Sequence, residues 1–376
     1  MRAILGVGVL AAVLTGCSPG AAPSDAKPAA PAPAKPAAVA APPAASNPAL
    51  QAINTATFVP PPPASAPAAP AATAAPSSAA PSSATPATTA ADPVIIREEV
   101  ILDRARFSPG VIDGKPGTNQ RHALAAFQTA QGLPATGDLD AATWQALTKD
   151  GAPVAASYTI TAADVAGPFA PDVGEDFVKL AALPNGPLFS TPLEALASQF
   201  HMSQALLTAL NPGADFTKAG TVLVVAAPGA AAFAKGDVKR IEVSKAHAQL
   251  TAYGDNDAIL AVYPATVGST ERPSPSGVHK INGVAWNTDY EYDPSKLHWG
   301  PRSHGKLHIK PGPKNPVGVV WIDINAPSYG IHGTPDPTKI GKTASHGCVR
   351  LTNWDALALA HGVKPGVIVD FVGARA

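Results

Sequence analysis

Two histidines and a cysteine lie close together in the C-terminal part of the sequence. Residues 331–333 read Ile-His-Gly, and residues 345–350 read Ser-His-Gly-Cys-Val-Arg. A thiol nucleophile needs a nearby base to take its proton and backbone N–H groups to hold the developing oxyanion. A histidine within reach of a thiol can form a thiolate–imidazolium pair and lower the pKa of the cysteine. This segment therefore predicts covalent acyl transfer through Cys348, with a histidine as the base.

Cysteine usage supports a chemical role for Cys348. The other cysteine in the chain, Cys17, follows an apolar stretch over residues 3–14 that is too short for a typical membrane span and is typical of an export signal. The stretch ends in Leu-Thr-Gly-Cys, which resembles the lipobox of bacterial lipoproteins, and the resemblance implies a signal peptide over residues 1–17 with acylation of Cys17. The alternative is an ordinary signal peptide. A lipidated Cys17 leaves Cys348 as a free thiol in an oxidising compartment, and a chemical role is the simplest reason to keep it.

Composition limits the partners and the folded length. The chain has 376 residues, a formal net charge of +0 and a pI near 7.2, so no polyanion-binding surface and no nucleic acid partner are expected. Residues 18–93 are almost entirely Ala, Pro, Ser and Thr, which predicts a disordered but extended tether. Fully extended, such a tether could reach on the order of 200 Å.

Residues 94–150 show helical spacing interrupted by turns. The pattern predicts a small all-α bundle with helices near residues 95–107, 119–131 and 139–147. The bundle resembles the three-helix peptidoglycan-binding domain, through Pro-Gly-Val-Ile-Asp-Gly at residues 109–114 together with Ala-Phe-Gln, Gly-Leu-Pro and Thr-Gly further along. This resemblance implies that peptidoglycan is a partner.

Residues 151–235 give a weaker pattern. A capped helix opens at residues 190–197, a second helix follows His201, and residues 221–225 are typical of a strand. This order resembles a LysM-type glycan-binding module, but the leading strand is not evident, and a plain linking domain remains the alternative. His201 is expected to lie on a helix surface.

Residues 236–373 consist of short apolar stretches separated by dense turns. This pattern predicts a mostly β domain, either a sandwich or a partly closed barrel. One helix is expected after the cysteine motif, with Thr352 as its N-cap and Asp355 at the third helical position. The chain is thus predicted to be multidomain, with a small all-α bundle before a mostly β domain.

The C-terminal domain resembles the catalytic domain of L,D-transpeptidases of the YkuD type. The resemblance covers about 135 residues and is carried by Gly-Val-His at residues 277–279, by residues 331–333 and above all by residues 345–351. It implies that Cys348 is the nucleophile and that His332 accepts and donates the proton, with its ring oriented by the main-chain carbonyl of Gly333. It also implies oxyanion donors from the backbone around Gly347 and Cys348, and an Arg350 that meets a substrate carboxylate or braces the site.

Other roles stay open for several of these residues. His346 belongs to the predicted catalytic motif but could instead shape the turn, and Arg350 could be a structural ion-pair partner. His332, His346 and Cys348 could hold zinc, although the usual Cys-x-x-Cys and His-x-x-x-His spacings are missing, so neither a metal nor another cofactor is expected. Three further residues are predicted to line the substrate cleft: Ser345, His279 and Trp299.

The resemblance implies an L,D-transpeptidase that acts on peptidoglycan stem peptides through an acyl-enzyme on Cys348. We expect a periplasmic enzyme, held at the outer membrane by lipid on Cys17 and inhibited covalently by carbapenem-type β-lactams. With water as the acceptor, the same chemistry would make an L,D-carboxypeptidase. With a protein lysine, it would anchor another protein to the wall. From a different class, the chain could be a non-catalytic peptidoglycan-binding scaffold.

Overall fold

The computed structural model describes residues 47–60, 90–229, 233–297 and 300–373. The predicted signal peptide over residues 1–17, with Cys17, lies outside the described residues, and so does Trp299. Among the helices of the described ranges, none combines the length and the apolar character that crossing a bilayer requires.

Helix α1, Pro48–Thr55, lies inside the predicted tether. Its N-cap is Asn47, whose side chain accepts hydrogen bonds from two backbone N–H groups of the first turn, and proline occupies the first helical position, where it costs no hydrogen bond. Ile53 is buried at 1% exposure. The prediction of a disordered tether over the whole of residues 18–93 is therefore wrong for this helix, because the proline-rich composition hid an Asn-Pro cap followed by apolar residues at helical spacing.

The bundle contains helices at the three predicted places. Their bounds are α2, Pro93–Arg104, α3, Thr118–Ala130, and α4, Ala141–Leu147. Asp92 and Asp140 cap the first and the third through bonds to backbone N–H groups. The predicted first helix ran a few residues too far, because Arg106 adopts a positive φ of 64° and turns the chain away.

The next module is closed by a strand at each end. Its elements are β1, Ala155–Thr159, α5, Ala162–Ala166, α6, Phe177–Ala182, α7, Pro192–Gln199, α8, Gln204–Leu210, and β2, Val222–Ala226. Strand β1 pairs antiparallel with β2 over the full length of both. The leading strand that the sequence did not reveal is therefore present, and a long insertion carrying α5 and α6 separates it from α7.

Bundle and module share one hydrophobic core. That core joins residues of α2, α3, α7, α8 and β2, and it also takes in Val262 from the C-terminal domain. Backbone hydrogen bonds add to the contact: the N–H of Ser108 donates to the carbonyl of Val262, at 2.8 Å, and the N–H of Val262 donates to Arg106, also at 2.8 Å. Three sequence regions are therefore packed against one another.

The C-terminal domain is mostly β, as predicted. Its elements are β3, Arg240–Ser244, β4, Gln249–Tyr253, β5, Ile259–Pro264, β6, Gly277–Trp286, β7, Tyr290–Tyr292, β8, Leu307–Ile309, β9, Val320–Ile324, β10, Gly330–His332, β11, Val349–Arg350, α9, Asn353–Gly362, and β12, Ile368–Val372. Thr352 caps α9 by accepting from the N–H of Asp355, as the sequence predicted.

One curled sheet carries most of these strands. Its order is β11-β10-β9-β6-β12-β3-β4-β5, while β7 and β8 form a separate hairpin. The two edges of the sheet meet, since Thr266, just beyond β5, exchanges two backbone hydrogen bonds of 2.9 Å with Arg350 of β11. The predicted combination of a small helical bundle with a mostly β domain is confirmed, and the β domain takes the partly closed form.

Candidate active site

Strands β10 and β11 bring the predicted catalytic residues together. They pair in parallel, with His332 opposite Arg350. Side chains alternate along a strand, so Arg350 and Cys348, two residues earlier, face the same side. His332, Cys348 and Arg350 all line one cavity of about 760 Å³. The sheet therefore places a thiol, an imidazole and a guanidinium in a single chamber.

His332 is held rigidly in that chamber. It is 3% exposed, and its Nδ1 donates to the carbonyl oxygen of Gly333 at 2.7 Å. Its ring also stacks on that of Trp321, with centroids 5.4 Å apart. Because a carbonyl can only accept, this bond places the proton on Nδ1, and the lone pair of the neutral ring is then on Nε2. Gly333 therefore has the contact with the His332 ring that the family resemblance implied.

The electrostatics favour a neutral imidazole. Burial lowers the pKa of His332 to about 3, with a further contribution from the positive charge of Arg350, while the carbonyls of Gly333 and Val317 act in the opposite direction. A buried imidazolium would be poorly solvated beside a guanidinium. The ring is therefore an unprotonated base at neutral pH.

The thiol is also neutral at rest. Burial raises the pKa of Cys348, although an N–H of Gly330 and the charge of Arg350 oppose that effect. The Cys348 thiol lies 3.7 Å from the carbonyl oxygen of Ser328. This differs from the thiolate–imidazolium pair that the sequence predicted. Both ionised partners of such a pair would be desolvated, and the charge of Arg350 disfavours the imidazolium. Both groups are therefore neutral before any reaction.

A tight turn presents Cys348. Gly347 has a φ of +119°, and a Cβ there would stand 2.4 Å from a ring carbon of Tyr329. The hydroxyl of Ser345 accepts from the N–H of Gly347 at 3.0 Å and donates to the carbonyl of Cys348 at 2.6 Å. Ser274 donates to the carbonyl of Gly347 at 2.7 Å. Only glycine fits this position without strain.

These bonds change two of the predicted assignments. Ser345 is 3% exposed and its hydroxyl is used within the turn, so its environment is not the predicted cleft wall. The Gly347 N–H is likewise engaged by that hydroxyl. Of the N–H groups that the resemblance implied as oxyanion donors, that of Gly347 is therefore already used within the turn.

One hydrogen-bond donor of Arg350, its Nε, is buried without a partner among the described residues. A buried unpaired donor of this kind is costly unless a ligand satisfies it. A guanidinium beside His332 and Cys348 is suited to a substrate carboxylate.

The remaining predicted residues lie in different places. His346 lines the cavity with its ring partly exposed, and partial burial together with Arg350 and Arg272 lowers its pKa, against an opposing effect of Glu175. His279 is not among the cavity-lining residues, because its Nδ1 lies 3.2 Å from the side-chain oxygen of Asn325 and its ring packs against Phe371. Within the ranges covered by the structure, no group of three or more His, Cys, Asp or Glu side chains is placed to hold a metal.

Sequence reasoning missed three cavity residues. Trp321 lies within one of the short apolar stretches of the predicted β domain, and its neighbours in the sequence gave no sign that it stacks on His332. Tyr290 lies near Cys348 and Arg350, and burial raises its pKa, with a further increase once the Cys348 thiol is ionised. The two tyrosines of the short Tyr-Glu-Tyr segment, β7, were the signal that could have revealed this hairpin.

Asn353 was also missed, because the sequence showed only that it begins a helix. Its Oδ1 accepts from the N–H of Thr334 at 3.1 Å and from the N–H of Val319 at 3.4 Å. Its Nδ2 donates to the carbonyl of Pro313 at 2.9 Å. The first turn of α9 therefore fixes the loop whose carbonyl orients His332.

Comparison with known proteins identifies the family. A family model of the L,D-transpeptidase catalytic domain of the YkuD type matches residues 238–370, and a model of a peptidoglycan-binding domain matches residues 99–147. A Bacillus subtilis protein named L,D-transpeptidase YqjB is 30% identical over 133 residues, covering 34% of this chain and 67% of the relative. The chain belongs to the L,D-transpeptidase family. It is an enzyme of that class, and the resemblances to the L,D-transpeptidase catalytic domain and to the peptidoglycan-binding domain are confirmed.

Other L,D-transpeptidases are similar over comparable lengths. The Bacillus licheniformis protein named L,D-transpeptidase YkuD is 29% identical over 180 residues, covering 47% of this chain and 92% of that protein. The crystal structure of L,D-transpeptidase 3 from Mycobacterium tuberculosis with a faropenem-derived adduct is 16% identical, with a TM-score of 0.31. That alignment covers 43% of this chain and 77% of the other.

Proposed function

We propose that this L,D-transpeptidase forms a thioester between Cys348 and a peptidoglycan stem peptide and passes the acyl group to an amine of a neighbouring stem. The observation that carries the proposal is the shared chamber of His332, Cys348 and Arg350, in which Gly333 holds the His332 ring. A buried base, a thiol and an unpaired guanidinium donor are the groups that transfer of a carboxylate-bearing acyl chain requires.

The first half-reaction breaks an amide. Arg350 binds a carboxylate of the donor stem, and the sulfur of Cys348 attacks the carbonyl carbon before the terminal D-residue while His332 takes the thiol proton. The N–H of Cys348 stabilises the oxyanion. The carbon–nitrogen bond then breaks, His332 returns the proton to the leaving amine, and a thioester remains.

The second half-reaction reverses the proton path. An acceptor amine attacks the thioester, a carbon–nitrogen bond forms and the carbon–sulfur bond breaks. His332 carries the amine proton to the departing sulfur. With water as the acceptor, the same steps give hydrolysis, and with a protein lysine they attach a protein to the wall.

The other domains would place this chemistry at the cell wall. The match of residues 99–147 to a peptidoglycan-binding domain supports wall binding by the bundle. The strand–helix–helix–strand order of β1, α7, α8 and β2 supports a LysM-like role for the module. Lipid on Cys17 would tether the enzyme in the periplasm at the outer membrane, as the lipobox-like segment suggests.

Intact-mass spectrometry with a carbapenem tests the nucleophile. The wild-type protein is expected to gain the mass of one carbapenem molecule, and Cys348→Ala is expected to gain none. Cys17→Ser, which changes the only other cysteine, serves as the matched control and should gain the same adduct as the wild type. A wild-type protein without an adduct, or an adduct that persists on Cys348→Ala, would refute the proposal and favour a wall-binding scaffold.

A further inference from the structure

Part of the active-site cavity is built by the preceding module. We call residues 168–190, which lie between α5 and α7, the cap segment. Asp172, Glu175, Phe177 and Leu180 of this segment line the same cavity as Cys348. The catalytic domain alone therefore does not complete the chamber.

Apolar contacts fix the cap segment on the β7–β8 hairpin. The ring of Phe177 lies 5.7 Å from that of Tyr290 and 5.3 Å from that of Tyr292, measured between centroids. Leu180 and Ile309 belong to one small buried cluster that joins the cap segment to β8. Because Tyr290 itself lies near Cys348, these contacts set the position of the cap segment relative to the sulfur.

A shared lysine links the cap segment to the loop after β10. The Nζ of Lys339 lies 2.9 Å from Glu175 and 3.3 Å from Asp336. The side chains of Lys339 and Glu175 are 52% and 68% exposed, and an ion pair so accessible to water is weak. An incoming cation can therefore replace Lys339 at Glu175, while Lys339 keeps Asp336 as its partner.

Glu175 also faces the cysteine motif. Its charge acts on the ring of His346, two residues before Cys348, and it opposes the lowering of the His346 pKa by burial, Arg350 and Arg272. Because Glu175, His346 and Cys348 all line one cavity, a cation held by Glu175 would lie in the same cavity as the thioester. Arg350, in contrast, is the positive charge of this cavity and attracts anionic groups.

We infer that Glu175 is a specificity-determining residue, which draws a cationic amine to the acyl-enzyme in preference to water. The inference rests on the proposed function, because it concerns the second half-reaction. The amine binds as an ammonium ion and releases one proton to water before it attacks. Its second proton then passes through His332 to the sulfur as the carbon–nitrogen bond forms and the carbon–sulfur bond breaks.

The partition of the thioester between amine and water tests this role. The protein is acylated with a stem tetrapeptide, and amide and hydrolysis products are quantified with two acceptors. Nα-acetyl-lysine carries a cationic amine, whereas methoxyamine is uncharged at neutral pH. With the lysine acceptor, Glu175→Gln should lower the amide-to-hydrolysis ratio about fivefold and Glu175→Lys should lower it further. With methoxyamine the ratio should stay unchanged.

Asp215→Asn is the matched control, because Asp215 is an exposed carboxylate of the same module that does not line the cavity. It should leave both ratios at the wild-type value. An unchanged ratio for Glu175→Gln with the lysine acceptor, or an equal fall with both acceptors, would overturn the role of Glu175. A wild-type protein that forms no thioester would instead overturn the proposed function itself.

Discussion

At the scale of single residues, the protonation of His332 decides how the proposed acyl transfer would begin. Burial and Arg350 lower the pKa of His332 to about 3, and burial raises the pKa of Cys348. A pre-formed thiolate–imidazolium pair would need a raised pKa for His332 and a lowered pKa for Cys348. In the proposed reaction, His332 is therefore available as a base at every pH at which its imidazole is neutral. That pH range extends well below the usual pKa of a histidine.

This protonation state predicts an unusual pH profile. The rate of Cys348 acylation by a carbapenem should change by no more than about twofold between pH 5 and 8, because His332 stays unprotonated until the pH falls towards 3. Stopped-flow absorbance, with circular dichroism as a check on folding, provides the measurement. An acid limb with a midpoint near 6.5 would show that the active base titrates as an ordinary histidine and would contradict the neutral pair.

The motif predicted which residues meet in the cavity better than it predicted their environment. Residues 345–350 pointed to Cys348, and the structure brings it into one chamber with His332 and Arg350. The sequence could not predict the protonation state, because burial of the imidazole depends on Trp321 and on residues brought together only by folding. His279 was misassigned for a related reason, since its place on β6 directs it towards Asn325 and away from the cavity lining.

At the scale of secondary structure, local signals and long-range pairing behave differently. Helices α2, α3 and α4 carry helical spacing within their own sequence, and α2 and α4 also carry aspartate N-caps, so all three were located to within a few residues. Strand β1 has no such local signal, because it is a short segment whose partner β2 begins 63 residues after β1 ends. The closure of the curled sheet likewise depends on a pairing between Thr266 and Arg350 that no local pattern contains.

Helix α1 offers a test of structure inside the proline-rich region. The Oδ1 of Asn54 accepts from the N–H groups of Val154 and Ala155, at 2.8 and 2.9 Å, and its Nδ2 donates to the carbonyl of Ala155 at 3.0 Å. Asn54→Ala removes the partner of all three groups. We expect it to lower the free energy of unfolding by about 1–3 kcal/mol in denaturant titrations.

Thr57→Ala is the control for this helix, because Thr57 is exposed and bonds only locally. It should change the stability by no more than about 0.5 kcal/mol. Equal stability of the Asn54 and Thr57 variants would mean that α1 does not dock in solution, and the original expectation of a tether without ordered structure would then hold for this segment as well.

At the scale of the whole molecule, three sequence regions meet around a group of buried ionisable side chains. Asp103 of the bundle lies 3.1 Å from Nδ1 of His201 in the module, whose ring stacks on Trp354 of the catalytic domain. Ser108 of the bundle donates to Asp355 of α9 at 2.9 Å. His201 is therefore part of a junction between domains and not the surface residue that its sequence suggested. Deleting the bundle would expose this junction, so wall binding is better tested with surface substitutions.

Asp355 makes the stability of this assembly depend on pH. Burial and the nearby charge of Asp103 raise the pKa of Asp355 from 3.8 to about 7. Near pH 4 the carboxyl of Asp355 is neutral in the folded state, and its burial then carries no charge penalty. As the pH rises towards 7, the unfolded chain loses this proton while the folded state retains it, so folding becomes less favourable. Above pH 7 Asp355 is ionised in both states, and its effect on the free energy of folding no longer changes with pH.

Asp355→Asn removes this titration but keeps an oxygen that can accept from Ser108. The variant should therefore gain stability over the wild type progressively between pH 4 and 7, reaching about 2–4 kcal/mol. Thermal melts at a series of pH values measure the difference in stability between the variant and the wild type. The pKa of Glu98 is also raised to about 7, but its contribution is the same in both proteins and cancels. Asp215→Asn, at an exposed site, should follow the wild type throughout. A constant difference between Asp355→Asn and the wild type from pH 4 to 8 would mean that Asp355 is ionised in the folded state, and the junction would then hold two buried negative charges.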